Sequence, residues 1–240
     1  LEARLPMEAA VVGRFGDGSF LAVRPRPADA EGEARDRVVR DSVEYLRWSP
    51  LEGDTARVGL FPGGERLTLL GEEGEPVTLE PPLARGTSLA VGPGRIYLGD
   101  QERFEILGLD PDGTLRQVIR LTGVDRSVDE ELLATLSLVG PDGREPPWAD
   151  RFWSHAPETL PAFGRLLLDR TGHLWVAQPA VGREAPTRWW VFSPDGVLRG
   201  GVDVPAGLVL LEVGPVHVLG VVPSAMGPEL RRYRLERRRG

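Results

Sequence analysis

The sequence predicts an all-β protein: a single β-propeller domain over residues 1–240, with about four blades of four antiparallel strands and one short helical insertion between blades. Three observations predict it. Gly and Pro are abundant, at 30 and 22 residues, and announce many turns. A unit of apolar residues, a tight turn and an alternating strand recurs four times along the chain. A second hairpin follows the unit wherever the blade is complete. The length suits one such domain, and 41% hydrophobic residues can supply its core.

The first hairpins come in order. Val12–Gly18 turns into Ser19–Val23, and Leu89–Gly94 into Arg95–Leu98. Leu166–Gly172 turns into His173–Val176, and Leu210–Pro215 into Val216–Leu219. Gly supplies the positive φ these turns demand. The second hairpins are Glu44–Pro50 with Asp54–Leu60, Glu105–Gly113 with Thr114–Leu121, and Trp189–Gly196 with Val197–Val204; in the last unit only Leu230–Leu235 follows. Asp110-Pro111-Asp112-Gly113 and Ser193-Pro194-Asp195-Gly196 put Pro at the second turn position, with Asp or Ser before it and Gly after. The blades are then 8–70, 85–122, 162–205 and 207–238, with the insertion at 123–161. One blade cannot bury both faces of its sheet, so neighbours must supply the core.

The stretch Asp169-x-x-Gly172-His173-Leu174-Trp175-Val176 resembles the Asp-x-x-Gly-Asn-Leu-Trp-Val signature of bacterial propeller repeats, with His173 where the signature has Asn. The Pro-Asp-Gly hairpins are similar to those of NHL-like and TolB-like six-bladed propellers. The resemblance covers most of the chain outside 123–161. Its motifs are structural and imply a fold rather than an activity. It implies six blades, so a chain of about four that starts at Leu1 is read as lacking two N-terminal blades. On that reading the end blades expose sheet faces and edges that invite association. The alternative is a small ring closed by Leu1–Leu5 pairing beside Leu230–Leu235. The resemblance also implies an exported or periplasmic protein, although no signal is visible in the sequence.

Composition narrows the chemistry. The net charge of -7 argues against a nucleic-acid or anionic-membrane surface. No apolar run reaches the roughly 18 residues of a membrane span. The chain has no Cys, no Lys and no Asn, which removes thiolate sites and Schiff-base or P-loop lysines. Sugar-lactone hydrolases on similar propellers hold an axial metal with Glu, Asp and Asn, a set this chain cannot complete. Glu212 and Asp100 lie close to inner strands, where a side chain can face the axis; a solvated position is the competing reading for each. His155, His173 and His217 fall in separate places, and there is no Gly-x-Ser-x-Gly elbow. Asp110-Pro111-Asp112-Gly113 echoes a Ca²⁺ loop, but Leu121 stands where its Glu should be. No metal or cofactor is expected, and no catalytic residue is assigned.

The insertion opens on Ser127-Val128-Asp129-Glu130, a capping-box pattern, with Leu132, Leu133, Leu136 and Val139 at helical spacing and Gly140–Gly143 as the stop. A segment rich in aromatics and Pro follows, Glu145 to Pro157. The long connections 24–41, 123–161 and 179–187 run between second and third strands or between blades, so topology puts them on one rim. Rigid scaffolds carry function on such loops. The candidate binding residues are Trp148, Arg151, Trp153 and His155 of the insertion, with Arg183 and Arg188, for a protein, peptide or glycan. Anchoring of the insertion onto the ring is the competing role for its aromatics. The competing function is a hydrolase or lyase using acidic and Arg groups at the axis. Trp48, Trp175, Trp189 and Trp190 sit in strands and read as core. The basic tail Arg231–Arg239 reads as an outer strand with solvated charges.

Overall fold

The computed structural model describes residues 8–28, 36–71, 74–136, 143–179, 186–224 and 226–236. They form four antiparallel sheets arranged as the blades of a β-propeller. The first holds β1 (Ala10–Arg14), β2 (Phe20–Arg26), β3 (Val38–Ser49), β4 (Asp54–Leu70) and β5 (Pro76–Leu79). The second holds β6 (Ser88–Gly92), β7 (Arg95–Gly99), β8 (Glu105–Leu109) and β9 (Leu115–Arg120). The third holds β10 (Leu166–Leu168), β11 (Leu174–Ala177), β12 (Thr187–Phe192) and β13 (Leu198–Val204). The fourth holds β14 (Val209–Val213), β15 (His217–Val222) and β16 (Glu229–Arg234). In each sheet the strands follow in chain order, so every neighbour is a hairpin partner.

Strand alternation distributes the core among three interfaces between successive sheets. Leu21 and Tyr45 of the first sheet meet Ile96 and Leu98 of the second. Ile106 and Ile119 of the second meet Leu174 and Phe192 of the third. Trp175 and Val204 of the third meet Leu210 and Val213 of the fourth. Consecutive strand residues point to opposite faces, and Trp189 and Trp190 show it: Trp190 faces the second sheet and Trp189 the fourth. Burying each such side chain contributes roughly 1.5–3 kcal/mol. Trp175, Trp189 and Trp190 are buried as the sequence predicts. Trp48 is half-buried and tilts against its cross-strand partner Phe20 at 5.7 Å. Among the described residues, no buried cluster joins the fourth sheet to the first.

Several elements differ from expectation. The described residues form four blades, where the family resemblance implies six. The first sheet has a fifth strand, β5, and β4 runs on to Leu70. The insertion carries two helices, α1 (Glu130–Thr135) and α2 (Ala149–Trp153), rather than one. The cap of α1 is Asp129, whose carboxylate accepts from Leu132 N at 2.8 Å. Ser127 is instead bridged antiparallel to Thr159, with its hydroxyl turned to Asp125. Asp outcompetes the Ser two positions earlier because its carboxylate reaches the helix N-terminus with a full charge. Residues 1–5 and most of the predicted stop at 140–143 lie outside the described residues. No helix among the described residues is long and apolar enough to cross a membrane.

Candidate functional site: the loop rim

In every sheet the first-to-second strand turn is short, as is the third-to-fourth turn of the first three sheets, while the longer connections leave from the opposite strand ends. The start of β3 and the end of β4 overrun this second rim. Val38, Val39 and Arg40 pair with Leu67, Arg66 and Glu65, and β5 adds a third strand from Leu67↔Leu79 to Leu70↔Pro76. The extension needs cover for Leu67 and Leu69, both 0% exposed, and Phe152 of α2 supplies it, flanked by Trp148 and Trp153. The three rings meet edge to face, at 6.0 Å for Trp148–Phe152 and 5.1 Å for Phe152–Trp153. Arg151 donates to the Leu70 carbonyl and lies 3.9 Å from Asp36.

Gln101, between β7 and β8, ties the centre of the rim. Its backbone is left-handed, φ 63°, a conformation that costs a non-Gly residue about 1 kcal/mol or more. The side chain accepts from Gly86 N at 2.7 Å and donates to Ser88 Oγ at 3.0 Å and the Gly164 carbonyl at 3.3 Å. Its own carbonyl accepts from Ala162 N at 2.8 Å. Three arginines turn inward around it. Arg40 donates to the Asp100 carbonyl at 2.6 Å, Arg85 to Thr159 Oγ1 at 2.9 Å, and Arg126 to the carbonyls of Glu102 and Leu160 at 3.2 and 3.1 Å. Arg85 also pairs with Glu102 at 3.1 Å.

A groove of about 500 Å³ lies beside this tie, with Pro81, Pro82 and Leu83 on one side and Trp153, Leu160 and Pro161 on the other. Glu80 is the one charged residue in its lining, and Gln101 contributes an amide. A larger hollow of about 820 Å³ lies on the last sheet, along β16, where Arg232 and Arg234 are exposed. It is bordered by one sheet and its following residues, whereas the groove draws on four separate parts of the chain. The groove is therefore the better candidate site.

The structure gathers three of the predicted residues, Trp148, Arg151 and Trp153, at α2, and Trp153 alone of them lines the groove. His155 is half-buried just beyond α2, its backbone N–H capping the helix at the Phe152 carbonyl, 3.2 Å away. Arg188 is not brought to the groove: it is exposed on β12, 3.3 Å from Asp203 on β13. Arg183 lies outside the described residues. The sequence reading did not single out Gln101, Pro81, Pro82 or Leu83.

The two carboxylates that the sequence places near inner strands, Asp100 and Glu212, both have partners. Asp100 accepts from Glu102 N at 3.0 Å. Glu212 pairs with Arg170 at 3.1 Å and stands 3.4 Å from His217. His173 is 2.9 Å from Thr171 Oγ1 and 3.6 Å from Asp169. Asp112 accepts from Thr114 N at 2.9 Å, so the Asp110–Gly113 segment is built as a turn. Among the described residues, no three His, Asp or Glu side chains stand close enough to hold a metal ion. Burial pushes Tyr45 up to about 12 and raises Tyr97. Hydrogen bonds from Arg24 and Arg26 hold Glu44 low. None of these groups lines the groove.

No family model and no curated sequence matches the chain. Among solved structures, a luciferin-regenerating enzyme is 14% identical over 89% of this chain and 68% of its own, with a TM-score of 0.28. The WD40 domain of SCAP from fission yeast is 9% identical over 91% of this chain and 66% of its own, also with a TM-score of 0.28. At these values neither likeness bears on activity. The fold and the rim define a β-propeller with a groove among its long connections.

Proposed function

We propose that this chain is a non-catalytic propeller scaffold that binds a protein, peptide or glycan through its long-connection rim. The observation that carries the reading is the groove of about 500 Å³, built from proline and aromatic walls over a rigid hydrogen-bonded tie, with Glu80 its one charged group. Binding sites are mostly apolar with a few placed polar groups, while acid–base catalysis needs convergent titratable groups. A hydrolase or lyase at the axis would need free carboxylates, and Asp100 and Glu212 are both held by neighbours. Descent from six-bladed NHL-like or TolB-like propellers, and with it an exported location, rests on the Asp169–Val176 motif and the Pro-Asp-Gly hairpins.

A photoreactive amino acid at Leu83, with a control at exposed Leu115 on β9, tests the rim in extract from the source organism. The expected result is a saturable cross-link at position 83, absent at 115 and lost when Trp153→Ala is added. Equal cross-linking at both positions, or none at 83, overturns the reading.

A further inference from the structure

We infer that the groove takes an extended protein segment with an apolar anchor and basic flanks. This rests on the binding reading above and narrows it to one kind of ligand.

Backbone chemistry excludes one recognition mode. Four of the lining residues are prolines, Pro81, Pro82, Pro161 and Pro179. Proline has no N–H, so these walls are poor templates for strand addition, which depends on a row of main-chain donors and acceptors. Pro81, Pro82 and Pro161 are buried and back the groove, and the apolar surface left open to a side chain inserted from an extended segment is that of half-buried Leu83, Trp153, Leu160 and Pro179.

Charge then selects the flanks. The insertion at 123–161 carries eight carboxylates against three arginines, most of the chain's net charge of -7. The structure turns two of these three arginines onto the backbone and leaves Arg144 exposed. Arg126 and Arg151 are drawn inward onto carbonyls, and Arg85 onto Thr159 and Glu102. Glu80, Glu130, Glu131, Asp150 and Glu158 are exposed, and none has an ion pair among the described residues. Exposed Arg144 and, next to the lining residue Gly164, exposed Arg165 offset part of this, and the five unpaired carboxylates leave an acidic excess around the groove. Such a field attracts cations and repels acidic partners. A neutral glycan would gain nothing from it, whereas Lys or Arg on either side of an anchor would.

The test uses the full chain and two labelled peptides, each with a Trp-Pro-Leu centre, one with Lys-rich ends and its twin with Glu in their place. Fluorescence anisotropy is read at low salt and at about 0.5 M NaCl. The expected result is binding of the Lys peptide at least about tenfold tighter than its twin, weakened by salt. The combined variant Glu80→Arg, Asp150→Arg and Glu158→Arg should erase that preference; these side chains are exposed, so unchanged unfolding in urea confirms the fold is intact. Equal affinity for both peptides, lost in Trp153→Ala, overturns the basic-flank inference but leaves the binding reading standing. Failure of both peptides to bind overturns the inference, and the Leu83 cross-link then decides the binding reading on its own.

Discussion

The indole Nε1 of Trp175 donates to Oδ2 of Asp169 across the first hairpin of the third blade, at 3.3 Å. The first carboxylate of the motif is thereby joined to its last aromatic. Oδ1 of Asp169 also accepts from Thr171 N, Thr171 Oγ1 and His173 N, at 2.8, 2.7 and 2.9 Å. One buried carboxylate thus holds both the turn and the tryptophan that packs the third blade on the fourth. Asp169→Ala leaves those donors without an acceptor. The expected loss is about 2–3 kcal/mol, read as a lower urea midpoint at neutral pH. A loss below about 0.5 kcal/mol would show that water replaces the carboxylate.

The same site predicts a pH dependence. Burial alone would raise the Asp169 pKa, but the bonds from Thr171, His173 and Trp175 outweigh it and the folded pKa lies below the ordinary one. A depressed carboxylate contributes stability that is present above the unfolded value of about 3.9 and is lost as pH falls through the folded value. The gap in stability between wild type and Asp169→Ala should therefore narrow below about pH 4. Urea titrations at neutral and acidic pH measure it; a constant gap would refute the charge contribution.

Turn chemistry explains what was legible in the sequence. Asp169–Gly172 and Ser193–Gly196 fix local backbone, and each stands at a hairpin in the structure. What was not legible depends on distant partners. β5 opens on a proline after the run Gly71-Glu-Glu-Gly-Glu75, which reads as loop, yet Pro is tolerated at the first residue of an edge strand. Gly63 and Gly64 mask the continuation of β4, so nothing in the sequence announced the Leu67–Leu69 face that receives α2. The aromatics of the insertion stood out by composition; their docking surface did not. Gln101 lies among Gly, Asp, Glu and Arg, and reads as an ordinary surface turn.

Phe104 provides a third prediction. It leaves the loop before β8 and meets Phe163, Trp190 and Phe192 at ring distances of 5.4, 5.2 and 6.1 Å. It therefore locks the second blade to the third, both at the strands and at the segment that leads into β10. Phe104→Ala should cost about 3–5 kcal/mol, and Phe104→Leu less, since much of the volume is kept. Equilibrium denaturation of both variants checks the order. Equal losses would mean that ring shape, not the cavity, dominates.

Gln101 sets backbone strain against side-chain bonding, and two substitutions separate them. Ala removes the bonds to Gly86, Ser88 and Gly164 and keeps a left-handed backbone at φ 63°. Gly removes the same bonds but adopts that backbone freely. Losing the bonds should cost about 2–3 kcal/mol, and relief of strain should return about 1 kcal/mol of it in the Gly variant. Gln101→Ala is therefore expected to unfold at lower urea than Gln101→Gly, with both below wild type. In both, the Gly86 amide loses its side-chain acceptor, so its hydrogen exchange should quicken while the amides of β11 keep their protection. A Gly variant less stable than the Ala variant would show that the strain is not there to be relieved. Unchanged Gly86 exchange would show that the amide of Gln101 does not hold the rim.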